Sequence, residues 1–138
     1  MFAPYRSLAS SYRNMDVETS LQDASPHKLI AMLYDGAVAA VNKAKGAIER
    51  GDIAAKGAAI TFAIRIVEEG LRASLDARGG DIAVNLGDLY SYMARRLLEA
   101  GLRNDTAILD EVAKLLGELR GGWAGIASAG QSQSARAS

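Results

Sequence analysis

Apolar residues recur every three or four positions through four long segments of the chain, which is the spacing of one face of an α-helix. The first segment carries Leu29, Leu33, Gly36, Ala40, Ala44 and Ala47 on one line, with Ile30, Tyr34, Ala37, Val41 and Ile48 beside it. The second carries Ile60, Ala63, Ile64, Val67, Leu71 and Leu75. The third carries Ile82, Leu86, Leu89, Met93 and Leu97, widened by Tyr90, Ala94 and Leu98. The fourth carries Ile108, Val112, Leu115, Leu119 and Trp123.

Short turn signals separate these segments. Ser25 followed by Pro26 predicts the start of the first helix, because the serine hydroxyl accepts from a free backbone amide and proline needs no donor there. Gly51 and Asp52 predict a left-handed stop and a new cap. The later boundaries are predicted at Gly79-Gly80, with Asp81 as cap, and at Asn104-Asp105. Helices joined by such tight turns pack antiparallel, so the expected fold is all-α, an up-down-up-down four-helix bundle.

The two ends of the chain differ from this body. Phe2, Tyr5, Leu8, Tyr12 and Met15 recur at intervals of three or four and predict a short amphipathic segment outside the bundle. The last residues are small and polar and predict a disordered tail. The expected organisation is an N-terminal segment at 1–24, a bundle at 25–123 and a tail at 124–138.

Charge and composition exclude several classes of function. Lys plus Arg and Asp plus Glu number 16 each, a balance that disfavours nucleic-acid binding and a polybasic membrane anchor but leaves room for a small local basic patch. No apolar run is long enough to cross a membrane, and the N-terminus lacks the pattern of a signal peptide. There is no cysteine, which removes disulfides, thiolate metal sites and cysteine nucleophiles. The expected location is the cytoplasm.

The chain shows no constellation of catalytic, metal-binding or cofactor-binding residues. His27 is the single histidine, so the Glu-x-x-His pairs of carboxylate metal bundles are missing, and a solvated or capping role is expected for it. The glycine pairs do not have the spacing of a phosphate-binding loop. Glu68 and Glu69 are adjacent in sequence, so they diverge around a helix and predict a solvated face. No enzyme activity and no cofactor are predicted.

Tyrosines beyond the core positions point to a binding role. Tyr34, Tyr90 and Tyr92 fit equally well in a bundle core or at its rim. Tyr90 and Tyr92 cannot face the same way, so one of them is expected largely outside, next to Met93. Apolar and tyrosine surface in excess of one core is typical of a groove for a partner helix.

Several motifs in order resemble the FliS family of flagellar export chaperones for flagellin. They are an N-terminal tyrosine segment, Ser25-Pro26, Leu33-Tyr34-Asp35-Gly36, Gly70-Leu71-Arg72-Ala73-Ser74-Leu75-Asp76, Asn85-Leu86, Leu89-Tyr90-Ser91-Tyr92-Met93, Arg95-Arg96-Leu97-Leu98, Asn104-Asp105 and Trp123. The likeness runs from about Tyr5 to Trp123. Phe62, Gly101 and Gly122 depart from it, standing where lysine, asparagine and alanine are common in the family.

The resemblance implies a cytoplasmic helical bundle that binds the C-terminal segment of flagellin, prevents premature polymerisation and delivers flagellin to the flagellar type III export gate. The implied partners are flagellin, the export gate protein FlhA and possible flagellar regulators. It also implies that the N-terminal segment covers the client site as a lid when no client is bound. The residues expected to serve client, groove or lid are Tyr5, Leu8, Tyr12, Tyr34, Asn85, Leu86, Leu89, Tyr90 and Met93.

Two alternatives from the residues alone remain open. A small-molecule or cofactor-binding bundle requires an internal polar cavity and inward ionisable groups. A helical adaptor or anti-regulator with a client other than flagellin would carry the same apolar and tyrosine residues outside its core.

Overall fold

A computed structural model describes the chain over residues 25–75 and 79–137, with side chains as far as residue 125. Its helices are α1 (Pro26–Arg50), α2 (Ile53–Arg65), α3 (Asp81–Arg103) and α4 (Thr106–Ala137). α1 packs against α2 and α4, and α3 packs against the same two helices, so α1 and α3 lie diagonally across the bundle. No strand occurs in the described part of the chain. The predicted all-α four-helix bundle is confirmed.

The predicted caps of α1 and α2 are present. The Ser25 hydroxyl accepts from the backbone amide of Lys28 at 3.2 Å, and Pro26 is the first helical residue. Gly51 ends α1 with φ at 71°, a left-handed conformation that costs glycine little. The Asp52 carboxylate then accepts from the amide of Ala55 at 3.0 Å and starts α2.

The end of α2 differs from the regular helix to Gly79 predicted from the sequence. After Arg65 the backbone widens into a π-helical stretch, Ile66–Leu71, and then tightens into a 3-10 turn, Arg72–Ser74. The widened stretch keeps Ile66, Val67, Gly70 and Leu71 all in the core. Packing of these residues therefore overrides regular helix geometry here.

The start of α3 also corrects the sequence prediction. Gly80, with φ at 61°, occupies the cap position, and Asp81 is the first residue of the helix rather than its cap. At the other end Asn104 takes the left-handed conformation, with φ at 52°. The Lys56 ammonium donates to the Gly101 carbonyl at 3.0 Å and to the Asn104 amide oxygen at 2.8 Å. Lys56 thus satisfies the end of α3 from the start of α2.

Asp105 begins α4 as predicted, since its carboxylate accepts from the amide of Ala107 at 3.0 Å. The backbone of α4 continues to Ala137, beyond the bundle boundary expected at residue 123. The domain boundaries therefore stay a prediction.

The core is apolar apart from two tyrosine hydroxyls, and no charged residue of the described part is buried. Buried alanines from α1 let its neighbours approach closely, and larger side chains from the other helices fill the centre. The largest fully buried side chains are Ile66, Leu71, Met93, Leu97, Leu109 and Leu116.

Two core positions predicted from the sequence are wrong, and the line of buried residues predicted for α4 is shifted. Ile82 is 71% exposed and Leu98 is 56% exposed, although both were expected on the apolar inner face of α3. Ile82 lies at the first turn of α3, and Leu98 lies on the outer side of the helix. In α4 the buried line runs through Leu109 and Leu116, which the sequence reading omitted, while Leu115 and Leu119 are half-buried.

Candidate partner-binding surface

Tyr34 of α1 and Tyr90 of α3 meet in the middle of the bundle. Their hydroxyl oxygens lie 2.5 Å apart, and the two residues are 3% and 2% exposed. Burial raises the pKa of both phenols, so both stay protonated and one hydroxyl donates to the other. The pair connects two diagonal helices, and its side chains are core rather than surface groups.

The predicted client residues separate into three groups. Tyr34, Tyr90 and Met93 are buried in the core. Leu86 and Leu89 are half-buried and pack against that core, and Asn85 beside them is exposed. Tyr5, Leu8 and Tyr12 lie outside the described residues. The described part therefore leaves the start of α3 as the place where predicted residues reach the surface.

α3 carries most of the exposed large apolar residues of the described chain. Ile82, Val84, Leu98 and Leu102 are 71%, 62%, 56% and 77% exposed, and the fifth such residue is Ile53 at the start of α2. Val84, Leu98 and Leu102 fall on one outward side of the helix at 100° per residue, whereas Ile82 lies on the side of Leu86 and Leu89. α3 thus presents apolar surface on two sides.

Tyr92 is half-buried and does not lie free on the outside as the sequence suggested. Its hydroxyl donates to Glu111 Oε2 of α4 at 2.7 Å, and Arg96 Nε donates to Glu111 Oε1 at 2.9 Å. Arg96 also donates to Glu99 at 2.8 Å. The hydrogen bonds from Tyr92 and then Arg96 lower the pKa of the Glu111 carboxyl. This network fixes α3 against α4 on the protein surface.

His27 and Trp123 join the start of α1 to α4. Their rings stack with centroids 4.1 Å apart and planes 16° apart, and Trp123 Nε1 donates to the His27 carbonyl at 2.9 Å. His27 Nε2 is buried without a hydrogen-bond partner. The solvated or capping role expected for His27 is therefore wrong, because the ring packs against the indole.

A groove of about 560 Å³ runs between α1 and α2 on the outside of the bundle. Its walls are mostly alanine and glycine, with Phe62 at one side, and it carries two basic side chains. The lining residues are Gly36, Ala39, Ala40, Asn42, Lys43, Gly46, Arg50, Ala55, Ala58, Ala59 and Phe62. Sequence reading missed this groove, since alanine and glycine at helix spacing are equally typical of a tightly packed interface. The one signal was Phe62, a large apolar residue outside the predicted core line.

Two classes of site are not seen in the part of the chain that the structure describes. No group of three or more His, Asp or Glu side chains there is placed to hold a metal ion. None of the described helices is both long enough and apolar enough to span a membrane.

Comparison with known proteins gives one consistent result. The family model described as "Flagellar protein FliS" matches residues 8–130. The chain is 46% identical to the flagellar secretion chaperone FliS of Salmonella typhimurium, over 91% of this chain and 94% of the relative. It is 47% identical to the flagellar secretion chaperone FliSB of Pseudomonas aeruginosa, over 83% and 91%. It is 34% identical to the FliS of Bacillus subtilis, over 77% and 78%. The resemblance read from the sequence is confirmed: the chain belongs to the FliS family.

Proposed function

We propose that the chain is a flagellar secretion chaperone that binds the C-terminal segment of flagellin in the cytosol. In doing so it prevents premature polymerisation, and it then delivers flagellin to the type III export gate through FlhA. The relatives named flagellar secretion chaperones support the chaperone role. The observation that carries the binding role is the exposed apolar surface of α3, where four large apolar residues are more than half exposed.

The physical argument concerns a client that is itself amphipathic. A flagellin terminal segment that assembles by helix packing exposes an apolar face before assembly, and that face associates with copies of itself. An apolar surface on a stable bundle competes for the same face. The client orders as it binds, which keeps affinity lower than the buried area alone would give and leaves the complex reversible.

We place one client contact at the start of α3. Asn85 is exposed and offers hydrogen bonds to a client backbone, while Leu86 and Leu89 present half-buried apolar side chains beside the exposed Ile82. Tyr34, Tyr90 and Met93 support this surface from the core beneath it. Their role is to shape the surface, not to touch the client.

The N-terminal segment is proposed as a lid. Tyr5, Leu8 and Tyr12 are apolar residues of the same character as the client, so they would compete for its site and reduce apparent affinity by the fraction of time the site is covered. A chain lacking residues 1–15 should bind a flagellin C-terminal peptide more tightly. If the affinity for the peptide is unchanged in that titration, the N-terminal segment does not act as a lid.

Seeded polymerisation of flagellin tests the function. Adding one equivalent of the chain should suppress filament growth, and intact flagellin should be retained on immobilised chain whereas flagellin lacking its C-terminal segment should pass through. FlhA should bind the chain better when flagellin is present. Normal filament growth with no retention at micromolar concentration would favour an adaptor or anti-regulator with another helical client.

A further inference from the structure

One line of residues runs along the whole outer side of α3. Its positions follow one another in alternating steps of four and three, which is the heptad spacing of a seam between two helices. At 100° per residue they stay within about 40° of one direction. The opposite side of α3 is buried in the bundle through Met93 and Leu97. This outer seam consists of Val84, Asp88, Ser91, Arg95, Leu98 and Leu102.

Both ends of the outer seam are apolar. Val84 is 62% exposed at one end, and Leu98 and Leu102 are 56% and 77% exposed at the other. A helix that packs on one side only normally carries polar residues on its outer side. From Val84 to Leu102 the seam extends over about 27 Å of helix, which is long enough to pack along a second helix. The outer seam therefore has the composition of a helix contact at its ends.

The middle of the outer seam carries one charge of each sign. Asp88 and Arg95 are exposed, and no ion pair within the described part of the chain includes either of them. Beside the seam, in contrast, Glu99 is paired with Arg103 at 2.7 Å. Asp88 and Arg95 are about 10 Å apart along the helix axis, which is two turns. Each is therefore available to an opposite charge on another molecule.

The order of these residues makes the outer seam complementary to itself. If a second copy packs antiparallel, with the two-fold axis at the level of Met93, Val84 lies opposite the second copy's Leu102. Asp88 then lies about 4.5 Å along the axis from the second copy's Arg95, within reach of an arginine side chain. A parallel copy in the same register would bring Asp88 to Asp88 and Arg95 to Arg95. The charges thus favour the antiparallel pair, whose two-fold symmetry is the commonest one in homo-oligomers.

We propose that the outer seam of α3 joins two copies of this chain in an antiparallel pair. Val84 and Leu102 make the apolar contacts at both ends, and Asp88 and Arg95 form an ion pair on each side of the axis. One helix pair buries less than the roughly 1,600 Å² of a standard interface, so the dimer dissociates reversibly in the micromolar range. The inference goes beyond the proposed function, because the client contact proposed at the start of α3 lies on another side of that helix.

Sedimentation velocity of the full-length chain, from low to several hundred micromolar, measures the dimer. Asp88→Arg and Arg95→Asp should each weaken it about tenfold, because two-fold symmetry turns one reversal into two contacts between like charges. Glu118→Arg is the matched control, since Glu118 is an exposed acid of α4 outside the seam, and it should leave the dimer unchanged. Circular dichroism and thermal unfolding confirm that each variant keeps the bundle.

Mixing the two charge variants tests the orientation of the pair. The Asp88→Arg chain carries two positive seam charges and the Arg95→Asp chain carries two negative ones, so each repels its own copy. In an antiparallel heterodimer every contact is again between opposite charges. The equimolar mixture should therefore form a dimer that neither variant forms alone, and this heterodimer should weaken as salt rises.

The apolar ends of the seam are tested by Leu102→Ser. Because Leu102 would contact Val84 of the second copy at both ends, the change should weaken the dimer about tenfold or more. Ile53→Ser is the matched control, since Ile53 is 76% exposed at the start of α2 and lies off the seam. It should leave the dimer as strong as in the unchanged chain.

Three results would overturn the proposal. The first is an unchanged chain that stays monomeric at every concentration, which would leave the outer seam to a partner of another kind. The second is a dimer that neither the charge reversals nor Leu102→Ser weakens, since that dimer would use another surface. The third is a dimer that the single reversals weaken and that the mixture does not restore, because the antiparallel pairing of Asp88 with Arg95 would then be wrong.

Discussion

The Tyr34–Tyr90 pair gives a stability prediction in which the size of the loss depends on whether one hydroxyl or both are removed. Tyr90→Phe leaves the Tyr34 hydroxyl without its partner in a site where both residues are almost completely buried. A buried polar group without a partner costs about 1–3 kcal/mol, whereas removing both polar groups at once is nearly neutral. We therefore expect each single Tyr→Phe variant to lose about 1–3 kcal/mol and the double variant to lose less than either.

Urea unfolding followed by circular dichroism measures these free energies, and the four proteins form a double-mutant cycle. The coupling energy should be at least about 1 kcal/mol and favourable to the intact pair. Tyr92→Phe is the control, since its hydroxyl bonds to Glu111 on the protein surface and its loss should cost less. Additive single effects, or single variants as stable as the unchanged chain, would refute the buried hydrogen bond.

The same pair predicts a pH dependence at the alkaline end. Burial raises the pKa of both phenols above the ordinary value of 10.0, so the unfolded chain releases these protons first. The stability they confer is complete below pH about 10 and declines as pH rises above it, by about 1.4 kcal/mol per pH unit and group at most. The Tyr34→Phe, Tyr90→Phe chain should lose less stability than the unchanged chain between pH 10 and 11. If the free energy of unfolding fell equally with pH in the two proteins, the raised pKa values would be contradicted.

Further changes test packing, surface charge and the domain boundary. Gly101→Ala should gain less than the roughly 1 kcal/mol expected from helix propensity, because a Cβ there would lie 2.8 Å from Ile60 Cδ1. In an Ile60→Val background the stability gained from Gly101→Ala should return. Gly117→Ala is the control, because a Cβ there would meet nothing within 4 Å, and it should show the full gain in thermal unfolding. Glu111→Gln should cost about 0.5–1 kcal/mol at pH 7, as a partly exposed charged contact does. Because its carboxyl pKa is lowered from 4.5, that contribution should be present above pH about 4.5 and vanish as pH falls further in acid unfolding. A chain ending at residue 125 should unfold with unchanged free energy if the bundle ends near residue 123; a clear loss would move that boundary.

The helices and their turns were predictable because they depend on local chemistry. Ser25 and Asp52 cap helices through their own side chains, and Gly51 tolerates a left-handed backbone that other residues resist. Those signals are present in the sequence within a few residues of the boundary. The all-α bundle followed from them and from the period of the apolar residues.

The candidate site was less predictable because it depends on which helices become neighbours. Tyr34 and Tyr90 are separated by 56 positions, and no periodicity indicates that their hydroxyls meet. The π-helical stretch Ile66–Leu71 is likewise a response to packing across the core. The groove beside Lys43 exists only because α1 and α2 carry small side chains on their adjoining outer faces.

Titration calorimetry with the C-terminal segment of flagellin tests the central claim most directly. The account predicts saturable binding at micromolar concentration or tighter, with a negative heat-capacity change from the apolar surface that the complex buries. The same titration with flagellin lacking that segment should release no binding heat. Equal heats for the two flagellins, or no binding by either, would contradict a chaperone that holds flagellin by its C-terminal segment.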